Sequence, residues 1–376
     1  MRVIGRRAFR VASSLGLACV LFAFLGVLTW LGTLAQVENG LYDVQRKYFE
    51  SYVLVHDAGG VPIPLPGANL VLSVLAMNLV LGGFVRIRKT RDTFGVLIAH
   101  AGIVLLLVAG FVKHHASDDG RVTLFEGQSA SWFESDFRWE VVVSEPQGYG
   151  STRENVVPFD SVAQATSASP VVIELPGLPI AIEVREAHVN ARVTSPRDDS
   201  GPHIAPSARD PEAGRNFPAV RITIAALDGS AREETILSGM HSTPFTTSIG
   251  GRRVQLDLRR ERHALPFALT LADFRKVDHP RSNMPRSFES DVVVDGQRAV
   301  TISMNEPLRE GGVVVYQASW GPQGAGPDAR LFSTFAVVRN PADRLPIVAC
   351  AVIALGLVVH FGRKLARATC VRRVTE

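Results

Sequence analysis

Hydrophobic positions in this chain gather into four long blocks, and between the third and fourth they alternate instead. The blocks cover about residues 11–34, 68–85, 94–112 and 345–362. Each is near the length a helix needs to cross roughly 30 Å of hydrocarbon at 1.5 Å per residue. Between the first two, Leu41, Val44, Tyr48, Tyr52 and Val55 recur at three- and four-residue intervals. That spacing predicts a short interfacial helix over about 40–55, followed by the turn PLPG that opens the second span.

From 113 to 344 the pattern is that of strands. Runs such as RWEVVVSE, AVRITIAAL, RRVQLDLRR and GGVVVYQAS are β-branched, often alternating, and punctuated by Gly, Pro and Asp. They predict an all-β domain, sandwich- or barrel-like. Inside it, residues 194–216 (TSPRDDSGPHIAPSARDPEAGRN) are rich in Pro, Ser and Asp and read as a mobile insertion. The expected architecture is an α-helical membrane protein of four transmembrane helices with the β domain between the third and fourth. Its parts are a membrane region over 1–112, the β domain over 113–344, and a last helix with a basic tail over 345–376.

Charge adds an orientation. Arg2, Arg6, Arg7 and Arg10 precede the first span, Arg86, Arg88, Lys89 and Arg91 fill the second turn, and Arg363, Lys364, Arg367, Arg372 and Arg373 follow the last. Lys and Arg collect in short cytoplasmic segments, so both termini are expected in the cytoplasm and the β domain outside it, across a cytoplasmic (inner) membrane. The chain as a whole carries +4 and has a pI near 9.1. Only Asp92 and Glu376 oppose those clusters, so the remainder is net acidic, which argues against a nucleic-acid partner. The first apolar run is about 24 residues long and no A-x-A-like site ends it at LGTLAQ, so a retained anchor is expected in preference to a cleaved signal.

Cysteine is sparse: Cys19 and Cys350 fall in spans and Cys370 in the basic tail. The β domain therefore has no disulfide framework, C-x-x-C site or C-x-x-C-H haem attachment. It also lacks G-x-S-x-G and H-E-x-x-H, so nothing supports a hydrolase there.

One polar residue stands out within the spans. His100 lies well inside FGVLIAHAGIVLLLVAGFV, about nine residues from Arg91, or roughly 13 Å by helical rise, which places it in the inner half of the bilayer. An ionisable residue inside the membrane marks a functional site by default, yet its neighbours Ala99, Ala101 and Gly102 equally suit close helix packing. Asn78 is expected to bond between helices. His114 and His115 sit just beyond the third span, as relay candidates or a solvated pair. His360, near the cytoplasmic end of the last span, is a weaker site candidate. His188, His203, His241, His263 and His279 lack metal-ligand spacing and read as structural or exposed. Trp132, Phe133 and Trp139 suit the face of a flat ligand, a partner or a membrane anchor. Met304 within MNEPL reads first as turn chemistry.

The phrases TWLGTLAQ, GLYDVQRKYF, HAG and EGQSASWF, and above all FES with TISMNEPLREGGVVVYQASWGP, resemble the ResB family, also called CcsB. These are membrane proteins of cytochrome c biogenesis in the second maturation system. The resemblance implies an assembly subunit with no catalytic activity of its own. Its partners would be a CcsA/ResC-type haem-handling membrane protein, apocytochrome c, membrane lipid and, further off, a thioredoxin-like thiol reductant. It implies haem b shared with the CcsA/ResC-type partner. His100 stands at the position held to supply one axial ligand to the iron, and His114 and His115 are the weaker haem-binding candidates. Imidazole is a common haem ligand. Because His100 is the one deep histidine, a bis-imidazole site would need a second histidine from the partner. A scaffold that binds partner and apocytochrome without touching haem is the competing reading.

Overall fold

A computed structural model describes residues 2–148, 151–194, 201–241, 243–280, 285–322 and 330–374. The chain divides into a helical unit, Met1–Ser117 with Asn340–Glu376, and a β unit, Asp118–Arg339.

In the helical unit, α1 (Arg2–Ala12) is followed by α2 (Leu15–Val44). The chain breaks between them because Ser14 is extended and its side chain accepts from the Leu17 amide, an N-cap that starts a new helix. The first span thus begins at residue 15, whereas hydropathy alone placed it at 11. Helix α2 kinks at Gly40, whose φ is 73°, and runs into a π-helical turn, Gln45–Phe49. The expected interfacial helix is therefore only half present. Val53–Asp57 (β1) pairs with Pro62–Pro66 (β2) as an antiparallel hairpin. Tyr48 is buried, but Tyr52 and Val55 are exposed, so they do not continue its apolar face. Helix α3 (Ala68–Val80) ends in a second π-helical turn, Leu81–Arg86. After it come α4 (Phe94–Ala116) and α5 (Leu345–Val374). Among the described residues four helices are long and apolar enough to cross a membrane, which marks an integral membrane protein.

The β unit is antiparallel. Its strands in chain order are β3 (Asp118–Phe125), β4 (Ser129–Gly148), β5 (Ser151–Pro158), β6 (Val171–Glu174), β7 (Ile180–His188), β8 (Ala191–Thr194), β9 (His203–Pro206), β10 (Ala219–Ala226), β11 (Arg232–Ser238) and β12 (Phe245–Ile249). They continue through β13 (Arg252–Asp278), β14 (Pro285–Val294), β15 (Arg298–Ser303), β16 (Leu308–Glu310), β17 (Val313–Gly321) and β18 (Phe332–Arg339). The large sheet runs β15-β14-β13-β4-β3-β18-β17-β16, with β12 and β5 also attached to β13 and β4; a smaller one runs β11-β10-β7-β6.

Two long strands, β4 and β13, serve two separate cores. Their pairing shifts register between Arg260 and Arg262 and again between Ala264 and Leu269. On one side of the shifts, Val141, Val143 and Leu256 pack with Ile182, Ile222 and Ile224 of the smaller sheet, as in a sandwich. On the other, Phe133, Leu269 and Leu271 pack with Val292, Val315 and Phe335, around which the large sheet curls. Register breaks of this kind bend a strand and raise its twist. Within residues 194–216, expected as a mobile insertion, β9 pairs with β8 and Ala213–Arg215 forms a 3-10 turn; residues 195–200 lie outside the described residues.

Candidate functional site

His100 projects from the first half of α4 toward the π-helical turn that ends α3. Its Nδ1 lies 3.5 Å from the carbonyl oxygen of Gly83, at the long limit of a hydrogen bond. A Cβ built on Gly83 would lie 2.5 Å from that nitrogen, so only glycine lets the imidazole sit there. The widened turn is itself a local departure of a type frequent at functional sites.

The imidazole lines a cavity of about 520 Å³ among α2, α3 and α4. Its walls are mainly aliphatic and aromatic, including Phe22, Leu25, Leu75 and Ile103, with Ser13, Ser14 and Asn78 as the other polar side chains. That size and lining are those of a small-molecule or cofactor site. Asn78 closes the end near the α1–α2 break: its Nδ2 donates to the Ala12 and Ser14 carbonyls at 2.7 and 3.0 Å. Arg86 donates to the Ser13 carbonyl at 3.1 Å. Backbone groups left unpaired by the break are thereby satisfied, and Asn78 does bond between elements as expected.

A different set of small residues holds α5 against α4. Cβ atoms on Gly95, Gly102 and Gly356 would each lie within 2.4 to 2.6 Å of the facing helix. Ala99 and Gly102 are buried, while Ala101 is exposed. The helix-packing surface is thus carried by Gly95, Ala99 and Gly102, and His100 is not one of those close contacts. Its surroundings are the cavity, Gly83 and Phe84, whose ring centroid is 6.3 Å away.

The other candidates separate. His114 lines a second cavity of about 400 Å³ with Tyr52, Asn69 and Phe111, and Leu72 and Leu107 line both cavities. Its Nε2 accepts from Asn69 Nδ2 at 3.3 Å. His115 is exposed and bonds back to the Phe111 carbonyl within its own helix. His100 and His114 stand fourteen residues apart on one helix, about 21 Å. The backbone of His360 forms the α4–α5 contact at Gly95, and its Nδ1 is buried without a hydrogen-bond partner among the described residues. His188 pairs with Glu186, and His263 lies between Asp118 and Glu261. Among the described residues no three His, Cys, Asp or Glu side chains cluster as a metal site.

Trp132, Phe133 and Trp139 do not form one aromatic surface. Phe133 is fully buried in a core, Arg260 stacks 4.1 Å over Trp139, and Arg262 stacks 4.0 Å over Trp132. Gly83, Asn69, the serine break and His56, which bonds the buried Tyr48 hydroxyl at 2.7 Å, carry no periodicity that would single them out from sequence. The GG in LGGFVR was the one visible signal near Gly83.

The motif FES and the motif YQAS meet in the β unit. The Ser290 hydroxyl lies 2.7 Å from Gln317 Oε1 and 2.9 Å from Ser333 Oγ, and Gln317 Nε2 donates to Ser333 at 2.7 Å. These side chains are buried, so the motif specifies a satisfied polar core. Met304 is exposed beside a turn closed by the Ser303–Glu306 bridge.

Fold and site together define an integral membrane protein whose helices enclose a histidine-lined cavity and whose β unit lies between its third and fourth spans. A sequence model of the ResB-like family matches residues 233–330. This match implies a role in cytochrome c biogenesis and suggests an assembly factor. All 98 matched residues fall in the β unit; residues 242, 281–284 and 323–329 among them lie outside the described residues. No curated protein matches the chain.

Proposed function

We propose that the protein is the membrane subunit of a cytochrome c maturation complex that binds haem b at His100 and helps move it across the membrane. His100 is the observation that carries this reading: the one deep histidine lines a cavity of cofactor size with mainly apolar walls. These residues fit a haem held on one side. The cavity supplies an apolar slot for the macrocycle and an imidazole for the iron. The Gly83 carbonyl lies 3.5 Å from Nδ1, which leaves Nε2 as the nitrogen that would hold the iron; a contact to the other ring nitrogen orients metal-binding imidazoles in this way. When bound, haem would supply the group that the complex attaches to apocytochrome thiols.

Among the described residues that line the cavity His100 is the one histidine, so a second side chain to hold the iron would come from a CcsA/ResC-type partner, and attachment would belong to the pair. The three basic clusters support cytoplasmic termini and an extracytoplasmic β unit, with His100 in the inner half of the bilayer. In that orientation the cavity at His114 lies at the outer end of the same helices, and His115 is left in solvent. A haem-handling role for His114 is the weaker part of this reading.

Imidazole rescue tests the assignment. His100→Gly should abolish haem in the complex purified with the partner, and added imidazole should restore it. Full haem content in the glycine variant, or no recovery in a complex that still assembles, would refute ligation by His100.

A further inference from the structure

At the end of the bundle where the α3–α4 connection meets α5, we infer a binding site for one anionic phospholipid headgroup. Lys89, Arg91 and Arg363 converge there on a cavity of about 480 Å³ whose remaining walls include Phe94 and Leu97. Close packing of α5 on α4 builds the site. Gly95 admits the His360 backbone, and Arg363, almost one turn further along α5, then faces the connection. Asp92, the carboxylate of that connection, is taken up by Arg367 through two contacts of 2.6 and 2.5 Å. Lys89, Arg91 and Arg363 have no ion-pair partner among the described residues, so three positive charges surround the cavity uncompensated.

Cations beside apolar walls at the end of a membrane-spanning bundle complement a phosphate with acyl chains attached. Basic pockets between transmembrane helices bind anionic headgroups in this manner. A free phosphate would use the cations and leave Phe94 and Leu97 idle, so the lipid is the better occupant. The site is separate from the His100 cavity and shares no lining residue with it.

Native mass spectrometry of the full chain, released from detergent and titrated with dioleoylphosphatidylglycerol or dioleoylphosphatidylcholine, tests this. One phosphatidylglycerol should be retained in preference to phosphatidylcholine. Arg363→Gln and Lys89→Gln should each weaken it about fivefold, on the scale of one juxtamembrane charge. Arg88→Gln, in the same connection but outside the cavity, should change it less than twofold; Lys89 lies on an exposed connection, so its variant reports even if Arg363→Gln misfolds. Equal retention of both lipids, equal effects of Arg88 and Lys89, or displacement of the lipid by millimolar inorganic phosphate would overturn the proposal.

Discussion

Gly83 and Gly356 are decisive for opposite reasons, and each gives a direct test. A methyl on Gly83 would strike His100 Nδ1, a side-chain atom that can rotate away. Gly83→Ala should therefore leave the fold standing and turn the imidazole, lowering haem retention in the proposed complex severalfold. An unchanged spectrum would show that the Gly83 approach does not set the ring. On Gly356 the methyl would lie 2.4 Å from the Ala99 backbone nitrogen, which cannot yield without parting α4 from α5. Overpacking of that kind costs about 1–3 kcal/mol, so thermal melting in detergent should fall for Gly356→Ala and stay level for Gly16→Ala, where no atom lies within 4 Å. Gln317 is a third such position. Replacing it by Leu leaves the buried Ser290 and Ser333 hydroxyls bonded only to each other, at about 0.5–1.5 kcal/mol for each hydrogen bond lost, read by denaturant unfolding with tryptophan fluorescence; an unshifted midpoint would mean the Gln317 amide adds nothing to this core.

The long strands β4 and β13 owe their stability to two cores and to an ionic edge between them. Arg259 bridges Glu140 at 2.9 Å and Glu154 at 2.6 Å. Burial pushes the Glu140 carboxyl up, while the hydrogen bond from Arg259 holds Glu154 below the usual carboxylate range. Burial also brings the neighbouring Arg260 down to about 10. A lowered acid contributes stability that is present above its unfolded pKa and lost as pH falls through the folded value. Glu154 therefore weakens the β unit in acid, and Glu140, with the opposite sign, partly offsets it. Melting temperatures of the full chain from pH 5 to pH 3 should fall less in Glu154→Gln than in wild type; an equal fall would place the acid-sensitive group elsewhere. Strand alternation made these elements visible in sequence. Their register shifts were not, because a break in pairing depends on which partner strand packs on each side.

Across the whole chain, apolar length revealed four helices and alternation revealed the β region, since both follow from where water is excluded. The α1–α2 break and the β1–β2 hairpin escaped that reading, because serine capping and a Gly40 kink override an apolar run without altering its composition. The candidate site was half legible. His100 is conspicuous as a polar residue in hydrocarbon, but its cavity is assembled from α2, α3 and α4, and no single segment encodes it. The orientation drawn from the basic clusters predicts that, in intact cells, an impermeant maleimide leaves Cys370 unlabelled until lysis. A cysteine placed in the exposed β10–β11 turn by Ser230→Cys should be open once an outer barrier is permeabilised. The reverse pattern would invert the molecule and put His100 in the outer half.

The absorption spectrum of the full chain purified with the proposed haem-handling partner, as wild type and as His100→Ala, bears most directly on the proposed haem binding. The wild-type complex should show a haem Soret band that is lost or shifted in the variant while both subunits still co-purify. A band unchanged in position and intensity, from a complex of unchanged composition, would contradict a haem ligand at His100.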